Sequence, residues 1–383
     1  MDIAICTDNN LVTKAKKGSV KILLPTLPES PIGGFKVAYQ YADYFASIGY
    51  DICFVYPYVR HDFFKSCEVS LRLKIKTFIV FYYRKLRKQM LINNWYPFKN
   101  KTQYKIVFML SPFFLKFLKR KDIVFATSVE TAYALNSVTK LPNRKKFYLI
   151  QDFENWNNNT DEYCYNSYKF PFTKIVISKW LQKKVEETGN TATVISNGLD
   201  FEYFKLTLPI ESRKPTEIAM LYHLDNRKRC CDSMAALEIV KKQIPDLHVT
   251  MFGTPEKPAD LPDWYSYYRT PDRETHNEIY NKASIFVAAS MKEGWALPPA
   301  EALQCGAALV CTDIGGFGAY AINNETALVS KVYDVQSLAE NILKFITDND
   351  LRIRIAKNGN KYIQQFTWDK SFSMMKRLIE NCK

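Results

Sequence analysis

The stretch KEGWALPPAEALQCG, residues 292–306, sets two glutamates eight positions apart, Glu293 and Glu301, on either side of Pro298 and Pro299. A carboxylate accepts hydrogen bonds on two oxygens, so such a pair suits a ligand that presents hydroxyls. The preceding SIFVAAS (284–290) is a short apolar run of the kind buried on both faces of a parallel sheet. The following AEALQCGAA favours a helix, and proline is accommodated in a first helical turn because the amide it removes has no partner there. The expected arrangement is strand, tight loop, helix. Glu293 then lies in the loop at the strand's carboxyl end, where open α/β sheets bind ligands, and Glu301 lies in or just after the first helical turn. The unpaired amides of that turn favour anions, so the chemistry implied is the holding of one molecule with both hydroxyls and phosphate.

The elements that must position this motif repeat along the chain. VKILLPTLP (20–28) reads as a buried strand, followed by Gly33-Gly34, the helical pattern FKVAYQYADYFASIGY and a second strand, DICFVYPY (51–58). The glycine pair fits a phosphate-binding turn or a plain one. Strands are expected again at 122–128, 146–152, 174–178 and 191–198. The alternation lapses over LDFEYFKLTLPIESRKPT (199–216), which reads as an interdomain connection, and then restarts. Strands at 217–223, 247–253, 284–290 and 308–313 alternate with helical stretches near 230–243, 273–282, 298–305 and 335–347. Two successive βα series imply two Rossmann-like α/β halves facing a cleft.

Composition is consistent with that size and class. A chain of 383 residues exceeds one ordinary domain, and 47% hydrophobic residues suffice for two cores. Lys and Arg number 53 against 39 Asp and Glu, a net +14 that favours anionic partners. The nine cysteines form no C-x-x-C pair, which points to reduced thiols in the cytoplasm. The leader MDIAICTDNNLVTKAKKG lacks the pattern of a signal peptide, and no uncharged apolar run approaches the ~20 residues that span a bilayer. The expectation is a cytoplasmic protein, soluble or peripheral on the inner face of the cytoplasmic membrane. Residues 72–105 mix cations with Phe, Tyr and Trp, and fit either a membrane-surface or acceptor-binding element or an amphipathic helix with a solvated basic face.

Read together, EGWALPPAEALQCGAALVCTDIGG resembles the retaining GT-B glycosyltransferases of family 4. Those proteins carry two glutamates separated by seven intervening residues, a small-residue helix and a strand ending near Thr-Asp-x-Gly-Gly. Glu293 and Glu301 match the glutamates, and Thr312, Asp313, Gly315 and Gly316 match the downstream turn. VISNGLD (194–200), ISKW (177–180) and LYHLDNRKRCC (221–231) are similar to other family segments, in family order. The resemblance covers roughly residues 20 to 380. It implies an amino-terminal acceptor domain (1–200), a carboxyl-terminal donor domain (201–368), and a last helix that returns residues 369–383 to the first domain.

The resemblance also implies roles. Glu293 contacts the donor sugar near its reacting carbon, Glu301 accepts from the nucleotide ribose, and Lys228, helped by Arg227, neutralises the diphosphate. His223 stands where many relatives carry arginine. The amides of Ala296 and Leu297, and of Gly33 and Gly34, hold phosphate or acceptor. Gln151, in YLIQDFE, stands where many relatives have histidine; glutamine hydrogen-bonds a hydroxyl but cannot shuttle a proton near neutral pH. QDFE with RKR is most similar to the rhamnosyltransferase-like branch of surface polysaccharide synthesis, in capsule or lipopolysaccharide. The implied partners are a nucleotide-sugar donor as co-substrate and a glycan or lipid-linked glycan acceptor, with no cofactor, no metal and no nucleic acid; the basic, aromatic run 72–105, not the resemblance, adds an anionic membrane surface as a candidate partner. The Asp348-Asn349-Asp350 run formally offers the D-x-D of metal-dependent transferases but reads as a helix-cap turn. The rival readings are a nucleotide-sugar 2-epimerase-like enzyme and a basic nucleic-acid-binding protein. The second lacks a zinc, helix-turn-helix or stacking-sheet signature.

Overall fold

The computed structural model describes residues 3–4, 17–28, 33–60, 63, 69–90, 92, 95–156 and 159–382. These form two compact units, one drawn from 1–177, 181–195 and 372–383, the other from 178–180 and 196–371.

The first unit is built on eight strands: β1 (Ile3–Ala4), β2 (Gly18–Leu23), β3 (Tyr50–Pro57), β4 (Gln103–Val107), β5 (Ile123–Ala126), β6 (Lys146–Ile150), β7 (Thr173–Val176) and β8 (Thr193–Val194). Their spatial order is β1-β4-β3-β2-β5-β6-β7-β8, and only the β1 and β4 pair is antiparallel. The helices between them are α1 (Gly33–Ser47), α2 (Leu71–Leu86), α3 (Val129–Asn136), α4 (Asp161–Tyr168) and α5 (Lys179–Glu186). Side-chain caps fix several starts: Ser70 accepts from the Leu73 amide, Ser128 and Thr131 form a reciprocal box, and Thr160 accepts from Tyr163.

The second unit holds β9 (Glu217–Tyr222), β10 (His248–Gly253), β11 (Tyr265–Arg269), β12 (Ile285–Ala288), β13 (Ala308–Thr312) and β14 (Ala327–Ser330), all parallel, in the order β11-β10-β9-β12-β13-β14. Its helices are α6 (Cys230–Lys241), α7 (Arg273–Lys282), α8 (Leu297–Gln304), α9 (Val335–Thr347) and α10 (Asn349–Ile363). All five residues of β13 are buried, as expected of a strand covered on both faces. In both sheets the order runs outward in two directions from one early strand, β2 or β9. The point of reversal lies between β2 and β5 in one sheet and between β9 and β12 in the other, and loops at that point open a crevice.

The last helix, α11 (Trp368–Glu380), is shared between the units. At its start, Ser371 Oγ donates to the Ser196 carbonyl at 2.7 Å, and Trp368 packs where a Cβ on Gly198 would stand. From Phe372 onward it belongs to the first unit, with the Phe372 ring stacked on Tyr44 at 4.3 Å and 2° and edge-on to Tyr41.

Several expectations are corrected. The strand expected over 191–198 is reduced to Thr193–Val194. Residues 72–105 are not one element: α2 ends at Leu86 and β4 begins at Gln103. The leader contributes the two-residue edge strand β1, and β4, β11, β14 and α10 were not foreseen. Asp348 does serve as a cap, closing α9 and accepting from Leu351 at the start of α10.

Candidate active site

Two loops meet at the reversal point of the second sheet. One leaves β9 through a single 3-10 turn, Asn226–Lys228; the other leaves β12 and runs to Ala296. The Met291 amide donates to the Arg227 carbonyl at 2.8 Å and ties them together. Lys228 Nζ then lies 2.6 Å from Glu293 Oε1, with the side chains only 22% and 12% exposed. Ser290 Oγ donates to the same oxygen at 2.9 Å, so the carboxylate is held by a cation and a hydroxyl in a half-dry setting.

The EGWALPP turn is fixed from below. Trp295 is buried edge-on to Tyr320 and Phe366, and the Tyr320 hydroxyl donates to the Ala296 carbonyl at 2.7 Å. That bond holds Ala296 at φ 56°, left-handed territory that a non-glycine residue enters only under constraint. Four of the six non-glycine residues with positive φ among the described residues, Arg229, Thr270, Ala296 and Tyr333, lie in loops beyond the carboxyl ends of this unit's strands. Strain concentrates there, as it does at ligand sites. The Thr-Asp-x-Gly-Gly turn after β13 completes the support. Thr312 Oγ1 donates to the Ser290 carbonyl, and a Cβ on Gly316 would stand 2.3 Å from the Glu293 carbonyl oxygen. Glycine is needed at 316 because the backbone of Glu293 occupies the side chain's place.

Glu301 sits in α8 with 7% exposure, accepting from the Tyr280 hydroxyl at 3.2 Å. Burial, followed by the adjacent Glu301 carboxylate, holds the Tyr280 phenol far above its ordinary pKa, so the hydroxyl stays a donor. Arg227 is committed to Asp225 through a forked pair, with Nη2 to Oδ2 at 2.6 Å. His223 accepts from the Asp225 amide at Nδ1, 2.9 Å, which leaves the proton of the neutral ring on Nε2.

Enclosure of the His223 ring, then the Lys228 ammonium, lowers its pKa below the ordinary imidazole value. The unfolded chain therefore takes up this proton first as pH falls. The neutral ring's contribution to stability is fully present above about pH 6.5 and declines as pH drops toward the folded midpoint. NMR titration of the His223 ring protons is expected to give a midpoint under that value, moving upward in Lys228→Ala.

In the first unit, Gly33 and Gly34 form the first turn of α1, after β2. Gln151, just beyond β6, donates from Nε2 to the Gly34 carbonyl at 3.1 Å. The carboxylates beside it have structural partners: Glu154 Oε2 accepts from the Val129 amide at the start of α3, and Asp152 Oδ1 accepts from Phe153. The sequence-derived residues thus fall into two groups, one per unit. His223, Arg227, Lys228, Glu293, Ala296, Leu297 and Glu301 lie on the loops and helix start of the second; Gly33, Gly34 and Gln151 on those of the first. Ser290, Tyr280, Tyr320 and Asp225 escaped notice. Ser290 lies three residues before Glu293 and Asp225 two before Arg227, so spacing could have raised them; nothing local marks the tyrosines. Among the described residues, no group of three or more His, Cys, Asp or Glu is placed to hold a metal ion.

Two doubly wound sheets, each with its loops gathered at a reversal point, define the GT-B architecture of glycosyltransferases. The fold of Anabaena Alr3699/HepE, solved in complex with UDP and glucose, matches with a TM-score of 0.68 at 14% identity, covering 95% of this chain and 99% of that one. Residues 209–362 match the family model described as "Glycosyl transferases group 1". The capsular polysaccharide biosynthesis glycosyltransferase CapM of Staphylococcus aureus is 29% identical over 238 residues, 54% of this chain and 62% of that protein. The N,N'-diacetylbacillosaminyl-diphospho-undecaprenol alpha-1,3-N-acetylgalactosaminyltransferase of Campylobacter jejuni is 30% identical over 108 residues, 27% and 29% of the two chains. The chain spans less than two thirds of the length of these curated relatives.

Proposed function

We propose that the protein is a retaining glycosyltransferase moving a hexosyl or deoxyhexosyl group from a nucleotide-diphosphate sugar to a glycan or lipid-linked glycan in surface polysaccharide synthesis. The observation that carries this reading is the Lys228–Glu293 pair at the sheet's reversal point, 2.6 Å apart beside the start of α8. The cation and the amides of Ala296 and Leu297 would receive the diphosphate, with Arg227 adding charge from its place on Asp225. Glu293 would face the sugar, Glu301 would accept from the ribose hydroxyls, and His223 Nε2–H would donate to the donor. Gln151 and the Gly33-Gly34 turn would meet the acceptor or its phosphate.

In this scheme the bond from the anomeric carbon to the diphosphate breaks first. The acceptor oxygen bonds to that carbon from the same face, and its proton passes to the departing phosphate oxygen. Lys228 and the helix amides carry the charge, so no metal ion is invoked. The relatives support the class of substrates: one is a capsular polysaccharide enzyme, one takes a diphospho-undecaprenol acceptor, and HepE holds UDP and glucose. Within that class we favour a rhamnosyltransferase-like, family 4 enzyme working at the cytoplasmic side, on the QDFE and RKR segments.

A thermal-shift and donor-hydrolysis panel of UDP-, GDP- and dTDP-sugars with EDTA present tests the reading. One nucleotide family is expected to raise Tm in the wild type and to lose that effect in Glu301→Ala. No response from the folded protein to any donor would overturn it.

A further inference from the structure

The positive charge of the chain is not spread over it. Residues 71–121 hold 14 Lys and Arg and no Asp or Glu, against 53 and 39 in the whole chain, so the remainder is balanced at 39 and 39. The net +14 is therefore the charge of one stretch of the first unit. That stretch contains α2, in which only Phe81 is fully buried. Leu71, Ile75, Ile79 and Leu86, spaced by four, four and seven, share one side of the helix and are 73%, 53%, 60% and 83% exposed. Arg72, Lys76 and Arg87 border this stripe, all exposed. A helix facing water alone has no use for such a stripe.

A second segment, distant in sequence, continues the face. Phe78 of α2 packs edge-on to Phe108, Phe108 tilts against Phe114, and Phe114 meets Phe113, which is 63% exposed with Lys116 over its ring. Lys119, Arg120 and Lys121 follow within the same acid-free run. Among the described residues no helix is long and apolar enough to cross a membrane, and α2 carries five cations in 16 residues.

We propose that the first unit docks on an anionic lipid bilayer through α2 and the segment around Phe113. The helix lies in the plane of the interface, its Leu71–Ile75–Ile79–Leu86 stripe among the acyl chains and its cations at the headgroups. A lipid surface is favoured over a polyanion such as nucleic acid because the apolar stripe and the cations occupy the same exposed side. The proposal is independent of the transferase reading, since donor binding belongs to the second unit.

The test is sedimentation of the full chain with phosphatidylcholine vesicles, with and without phosphatidylglycerol. Binding is expected only with the anionic lipid and weakens in salt. Ile75→Ser/Ile79→Ser/Leu86→Ser should lower the partition coefficient about tenfold or more, because the membrane affinity scales with buried apolar area. Arg72→Glu/Lys76→Glu/Arg87→Glu should abolish the preference for phosphatidylglycerol. These side chains are exposed, so both variants are expected to fold and to keep the donor thermal shift. Absence of vesicle binding by the folded wild type, or binding unaffected by the serine variant, overturns the proposal. So does a self-association lost in the serine variant without vesicle binding, which would assign the stripe to a second copy. Oligonucleotide binding that resists the serine variant while vesicles are ignored would assign the charge to nucleic acid, and overturns it too.

Discussion

Lys228→Ala is expected to slow donor turnover about 10²- to 10³-fold, the loss of about 3 to 4 kcal/mol seen when one preorganised charge-stabilising donor is removed. The same change strands Glu293, 12% exposed, without its cation while Ser290 still donates to it. A stability loss of about 1–3 kcal/mol follows from leaving a half-buried polar partner unmatched. The two effects separate in a double variant. Lys228→Met/Glu293→Gln removes both charges, so its denaturation midpoint should recover toward wild type because no lone charge remains. Turnover should not recover if Lys228, as proposed, is the group that faces the departing diphosphate. Recovery of both would reduce the pair to a structural ion pair and remove it from the chemistry.

Gly316→Ala is expected to be nearly as damaging, although the residue bears no functional group. Its Cβ would lie 2.3 Å from the carbonyl oxygen and 2.7 Å from the Cβ of Glu293, so the loop bearing that carboxylate must shift. Overpacking of this kind costs about 1–3 kcal/mol, and misplacing a catalytic group by about 1 Å costs about 10²-fold in rate. Gly318→Ala is the control, because nothing lies within 4 Å of its Cβ and its effect should stay within about 0.5 kcal/mol. Urea denaturation with donor turnover on the two variants checks the pair. Equal behaviour would mean that the turn after β13 does not position Glu293.

The elements read most clearly from the sequence are the buried parallel strands and the helices between them. β12 and β13 are short apolar runs that need no partner to be recognised, and α7 and α9 begin at aspartate caps. The strands that went unread share a cause. QYKIV of β4 lies within a run of lysines, and YSYYR of β11 is an edge strand whose last residues are exposed. ALVS of β14 has a single β-branched residue and no aromatic one. Propensity carries little information where a strand is half in water or poor in β-branched and aromatic residues. In the site, Lys228 and Glu293 could each be named from local motifs, but their contact spans 65 positions and follows from β9 lying beside β12. No window of sequence contains that adjacency. Tyr280 and Tyr320 were illegible for the same reason: each acts through one hydroxyl delivered by tertiary packing.

The division of α11 between the two units bears on the order in which the protein can be finished. A ribosome releases β2 to β8 early, and domains generally fold as they emerge, at about 5–20 residues per second. Yet Phe372, the ring that covers Tyr44 and Tyr41 of α1, is made only after all six strands of the second unit. The amino-terminal unit must therefore wait, with two tyrosines uncovered, while the whole of the other unit is synthesised. Of the two units, the one that is begun first is completed second.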